Sequence, residues 1–171
     1  MDRAFTIDAP PEAVWPWIAQ LGKRRAGWYL PYFIERLIPR GRRAIRHVAP
    51  DWQELAVGDV VPDYGGAAAT FEVAAIAPPH TLVYRSRRGH TELSWAISLA
   101  DARRASDGQS EGVGDVSAGS GGRTRVHLRL RLGPVRRRWL AHSVGGLFDV
   151  LTIVGMAAGL RERVNQTNWS A

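Results

Sequence analysis

Between Val144 and Leu160 the chain carries a single charged residue, Asp149, in a run of 17 otherwise apolar, small or weakly polar residues. Burial penalises the charged form of a carboxylate and raises its pKa. A carboxyl that keeps its proton in such a place orients a carbonyl or hydroxyl on a bound molecule. Asp149 is therefore the one candidate for catalytic or positioning chemistry; the plainer reading has it satisfying a buried Trp, Tyr or Arg donor. His142 lies two helical turns earlier, about 10.5 Å away along the axis, too far for a direct dyad. Ser143 sits next to His142 and points about 100° around the helix from it, so the two make no nucleophilic pair. Thr152 and Met156 share the Asp149 face and are read with it as ligand contacts. Trp95 and Tyr84 lie on strand patterns and are candidate pocket walls or, more plainly, core; Trp28 and Tyr29 follow Gly27 and are candidate ligand contacts at a lid edge or, more plainly, loop anchors. Glu35 reads as a surface ion pair with Arg36, Arg40 or Arg42, or else as part of a cavity mouth.

Other chemistries lack their residues. The chain has no cysteine, which excludes disulfides, thiolate metal sites and a thiol nucleophile. His47, His80, His90 and His127 are scattered, with no HExxH spacing and no clustered carboxylates, so no metal is expected. Despite 18 glycines there is no GxGxxG, P-loop or GxSxG elbow, so no cofactor is expected either.

The elements that must position these residues follow from periodicity. Phe5–Asp8 predicts a first strand, and Pro11 to Leu21 a helix capped near Asp8 or Ala9 and kinked at Pro16. A second short helix is expected over YLPYFIERLI, stopped by Pro39 and Gly41. Strands then follow. Phe71, Val73 and Ala75 share one face; so do Leu93, Trp95, Ile97 and Leu99; so do Thr124, Val126, Leu128, Leu130 and Leu132, with Arg125, His127, Arg129 and Arg131 opposite. Asp101–Gly122, with six glycines and no sustained apolar run, reads as a flexible hairpin loop. Trp139–Gln166 predicts a long C-terminal helix whose stripe of Leu140, Val144, Leu147, Leu151, Val154 and Ala158 faces the sheet. The small and polar residues beside that stripe suggest room for a ligand. The expected fold is α+β: one domain over 1–171, a curved antiparallel sheet around the C-terminal helix, with two short helices after the first strand.

Glycines at 145, 146, 155 and 159 and the charge of Asp149 argue against a stable membrane span in this run. The formal charge is +7, and fifteen of the 23 basic residues fall in four groups, at 23–25, 36–46, 85–88 and 131–138. These read as solvated faces rather than a specific nucleic-acid surface, since no known reading module accompanies them. The N-terminus lacks a secretory apolar core, and a cytoplasmic protein is expected. Nothing in the sequence specifies an oligomeric state.

The segments FTIDAPPEAVWPWIAQLGKRRAGWY, DWQELAVGDVVP, FEVAAIAPPHTLVYR, TELSWAISL and GGRTRVHLRLR, followed by the long final helix, resemble the polyketide cyclase/START-like superfamily, and especially bacterial SRPBCC proteins. The resemblance implies a helix-grip fold with an apolar cavity between sheet and helix. It implies a small apolar partner, lipid-like or polyketide-like, with a cyclase or dehydratase using acid–base groups, or an interaction-only protein with a filled core, as alternatives. It transfers no catalytic motif, so whether the protein is an enzyme stays open at this point.

Overall fold

The computed structural model describes residues 2–63, 69–102, 122–133 and 153–166. Asp149, Thr152, His142, Ser143 and all but the ends of the Asp101–Gly122 loop lie outside these residues.

Six strands form one antiparallel sheet: β1 (Asp2–Ile7), β2 (Val60–Pro62), β3 (Thr70–Ala77), β4 (Thr81–Arg88), β5 (Thr91–Asp101) and β6 (Thr124–Gly133). The spatial order is β1-β6-β5-β4-β3-β2. Consecutive strands from β2 to β6 are neighbours, and β1 closes onto β6 at the far edge. Two helices, α1 (Pro11–Ala19) and α2 (Tyr32–Glu35), follow β1, and residues 153–166 form α3. This is the α+β architecture expected: a curved antiparallel sheet packed on a C-terminal helix.

Period-two alternation builds the inner face. Tyr84 stands opposite Trp95 and Trp95 opposite Leu130, while Leu82, Ile97 and Leu128 form the adjoining row. One layer is therefore apolar, and Arg125, Arg129 and Arg131 point to the wet side. Ile153, Met156, Leu160 and Val164 of α3 join Leu82, Ile97, Val126 and Leu128 in the same core.

The helix ends differ from expectation in detail. No side chain caps α1: Pro10 occupies the N-cap position in an extended conformation, and Pro11 takes the first turn. Asp8 instead pairs with Arg123 at 2.8 Å. The expected stripe on α3 is rotated. Val154 is 62% exposed and Ala158 half-buried, whereas Gly155, Met156, Gly159 and Leu160 face inward. The physical reason is close backbone approach. A Cβ on Gly159 would lie 2.6 Å from backbone atoms of Leu30, and one on Gly155 3.0 Å from the Leu30 side chain. The glycines must therefore face Leu30, and that choice fixes which residues turn outward. Gly159→Ala should destabilise the protein by about 2 kcal/mol through overpacking. Urea unfolding checks this, and a change within about 0.5 kcal/mol would mean that the Leu30 segment yields freely.

Candidate functional site

Four aromatic rings converge at one end of the sheet. Tyr84 and Trp95 are cross-strand partners on β4 and β5, stacked with ring centroids 5.8 Å apart. Phe71 of β3 packs on both, 5.7 Å from Tyr84 and 6.1 Å from Trp95. Trp28 comes from the loop after α1 and lies 5.8 Å from Trp95. That loop turns sharply at Gly27, where φ is +88° and a Cβ would meet the Ala44 backbone at 3.0 Å. Only glycine accepts both conditions, and the turn delivers Trp28 to the sheet.

The rings wall a partly open cavity of about 50 Å³, completed by Leu21, Val61 and the half-buried Lys23, among others. Val61 stands opposite Phe71 in the β2–β3 register. Lys23 Nζ donates to the Asp63 carbonyl at 3.0 Å, tying the loop to the strand edge.

Two polar groups here have no partner among the described residues: the Trp28 indole N–H and the Tyr84 hydroxyl, both buried and both on residues that line the cavity. A buried donor without an acceptor costs about 1–3 kcal/mol, so each specifically favours whatever brings it an oxygen. Burial pushes the Tyr84 phenol up to about 12, against a smaller opposing influence of the Arg25 guanidinium. Tyr84 is thus a neutral donor throughout the physiological range.

Tyr29 and Met156 are not among the residues that line this cavity. Tyr29 is fully buried, donating its hydroxyl to the Trp17 carbonyl at 2.8 Å and accepting from Gln20 Nε2 at 3.1 Å. It anchors the loop through these bonds. Met156 is core, packed with the α3 residues above. Asp149 and Thr152 fall outside the described residues. Gln20, which carried no signal in the sequence, is a buried hub. Its amide nitrogen also donates to the His47 carbonyl, while its oxygen accepts from the Ala49 N–H and from Gln53.

Glu35 corrects its expectation. It does not pair with Arg36, Arg40 or Arg42 on the surface. It is buried against Arg163 of α3 at 2.5 Å and against Arg46 at 2.9 Å. Arg163 is also fully buried, and donates to the carbonyls of Ile45, Leu30 and Gly159 while its guanidinium covers the Tyr29 ring at 4.5 Å. Glycines at the Leu30 crossing bring the backbones close enough for this clamp. Its role is structural, holding the α2 segment to α3.

Tyr29 and Tyr84 set an alkaline limit. Burial raises both phenols above their ordinary value, so the folded state binds their protons more tightly than the unfolded chain. Their contribution is fully present below about pH 10, the unfolded value, and is lost as pH rises towards the folded ones. Melting temperature should therefore fall steeply between about pH 10 and 12, and Tyr84→Phe should make that fall shallower. An identical slope in the variant would show that Tyr84 titrates normally.

Among the described residues, no three His, Asp or Glu side chains come together to hold a metal ion, and no helix is long and apolar enough to cross a membrane. No family model matches the sequence, and no curated protein matches it. Solved structures do. An HSP90 activator from Plasmodium falciparum aligns with 92% of this chain and 89% of its own at 13% identity and a TM-score of 0.50. A Mesorhizobium loti protein covers 98% of both chains at 17% identity with a TM-score of 0.48. One from Chromobacterium violaceum covers 96% of this chain and 95% of its own at 14% identity and 0.49. At 13% identity the likeness to the Plasmodium protein is one of fold alone.

Proposed function

We propose that the protein binds a small, largely apolar ligand, lipid-like or polyketide-like, with one end seated among Trp28, Phe71, Tyr84 and Trp95. One observation carries this reading: among the residues that wall the aromatic cavity, Trp28 and Tyr84 hold buried donors that the described residues leave unpaired. Ligand sites combine mostly apolar walls with a few placed polar groups, and this lining has that character. Its donors ask for an acceptor, so the seated end carries a carbonyl, ether or similar oxygen. At about 50 Å³ the cavity receives a small group rather than a whole drug-sized molecule. The resemblance to the polyketide cyclase/START-like superfamily supports the same class of ligand.

Cyclisation or dehydration is the competing reading. Asp149 belongs to the proposal as a second polar constraint on the ligand. Asp149→Asn keeps approximate size and removes the charge, and an unchanged affinity in a folded variant takes Asp149 out of the site.

The experiment is extraction of protein purified without denaturation, followed by mass spectrometry of the extract. An oxygen-bearing apolar compound should be recovered from the wild type and depleted from Trp95→Ala. Recovery of nothing from either, together with no response to small aromatic ketones, would support the filled-core, interaction-only alternative.

A further inference from the structure

The segment between Tyr29 and Ala44 places large apolar side chains in solvent. Phe33 is 69% exposed, Leu37 85% and Tyr32 55%. Residues four apart on a helical turn share a side. The turn continues past α2, since the Arg36 N–H donates to the Tyr32 carbonyl and the Leu37 N–H to that of Ile34. Phe33 and Leu37 therefore stand together. Around them Arg36, Arg40 and Arg42 are exposed, and none makes an ion pair among the described residues. The single acid from Leu30 to Arg46 is Glu35, and it faces inward to Arg163.

We infer that this turn docks on an anionic membrane surface, with Phe33 and Leu37 entering the headgroup region and Arg36, Arg40 and Arg42 contacting lipid phosphates. Three observations select that occupant. Within 30–46 the exposed charge is of one sign and flanks the apolar pair in sequence, and the nearby Glu162 is paired with Arg46, the arrangement that interfacial segments use. The patch is small, a few side chains against the roughly 800 Å² per partner of a stable protein interface. A bilayer needs no such area, because a few inserted side chains and several basic contacts suffice for reversible binding.

The turn is also held rigidly from behind. Glu35 is clamped by Arg163 and Arg46, the Tyr32 N–H donates to Glu162 at 2.8 Å, and Arg43 donates to the carbonyls of Ile38 and Arg36. A surface ordered before contact loses little conformational entropy on binding. This inference stands on the exposed turn alone and does not require the ligand site.

Co-sedimentation with vesicles tests it, comparing pure phosphatidylcholine with vesicles containing about one-third phosphatidylglycerol. The wild type should bind the anionic vesicles, and binding should fall as salt rises. Changing Arg36, Arg40 and Arg42 together to Gln should lower partitioning about 100-fold, from about 1 kcal/mol per lost charge. Changing them to Lys should retain it within a few-fold, since the charge is kept. The double change Phe33→Ser and Leu37→Ser should lower it about tenfold or more. All five positions are exposed, so circular dichroism and melting should match the wild type. Three results would overturn the inference: no binding to anionic vesicles, equal binding to both vesicle types, or a dimer that Phe33→Ser and Leu37→Ser dissolves, which would make the patch a contact between copies.

Discussion

Arg163→Met should cost about 3–5 kcal/mol of folding stability, the largest effect expected of any single substitution in this molecule. The reason is the state left behind. Glu35 would keep the half-buried Arg46 and a long hydrogen bond from the Leu30 N–H, and lose the buried guanidinium at 2.5 Å. The carbonyls of Ile45, Leu30 and Gly159 would each lose a charged donor in an interior that excludes water. Removing one member of a buried pair is costly for these reasons, even where the intact pair itself adds little. A second variant separates the two effects. Replacing both Glu35 and Arg163 by Met removes the stranded carboxylate but leaves the three carbonyls, so it should recover part, and not all, of the loss. Denaturant unfolding with linear extrapolation measures both. A loss below about 1 kcal/mol in Arg163→Met would show that α3 is held by its apolar face alone.

The combined variant Trp28→Phe and Tyr84→Phe should bind oxygen-bearing aromatic ligands at least about tenfold more weakly, while Tyr84→Phe alone folds as well as the wild type or better. Tyr84→Phe keeps the ring and deletes only a hydroxyl, whereas Trp28→Phe deletes the donor together with one of the two indole rings, so the stability comparison is made on Tyr84→Phe. In the free protein those donors have no partner among the described residues, so their loss removes a cost. In the complex each is expected to hold the ligand's acceptor, so the loss removes a bond worth about 0.5–1.5 kcal/mol. Opposite signs for stability and affinity are the mark of a recognition residue, since a purely structural donor would lower both. Calorimetric titration with a small aromatic ketone, paired with thermal melts, reads the two quantities. Equal affinity in variant and wild type would remove both donors from recognition.

Local periodicity made most of the sheet legible. The alternations Leu93–Leu99 and Thr124–Leu132 place Trp95, Ile97, Val126 and Leu128 on the inner face, because a strand's side chains can only alternate. The strand positions of Tyr84 and Trp95 as candidate walls followed from the same rule. What local pattern does not carry is the convergence of distant segments. Trp28 meets Trp95 only because Gly27 turns the chain against Ala44, a contact between loops that no periodicity encodes. Glu35 stands beside three arginines in sequence yet pairs with one 128 residues away. The rotation of α3 depends likewise on where Leu30 crosses Gly159. The small residues there suggested room for a ligand, whereas at Gly155 and Gly159 the space is taken by Leu30. Gln20 was hidden for a related reason: a polar residue at a helix end reads as solvent-facing until the carbonyls and amides around it are known.

The most direct measurement of the ligand proposal is a ¹H–¹⁵N spectrum of the tryptophan side chains during titration with a small aromatic ketone. The chain has seven tryptophans, so the indole region is sparse, and Trp28→Phe identifies the Trp28 signal by its disappearance. The proposal predicts that the Trp28 indole proton moves downfield as the ketone binds, because the N–H gains an acceptor, and that the matching hydrocarbon leaves it in place. If the ketone leaves the Trp28 signal unmoved, or if ketone and hydrocarbon shift it alike, the aromatic cavity is not a site that recognises an oxygen-bearing ligand.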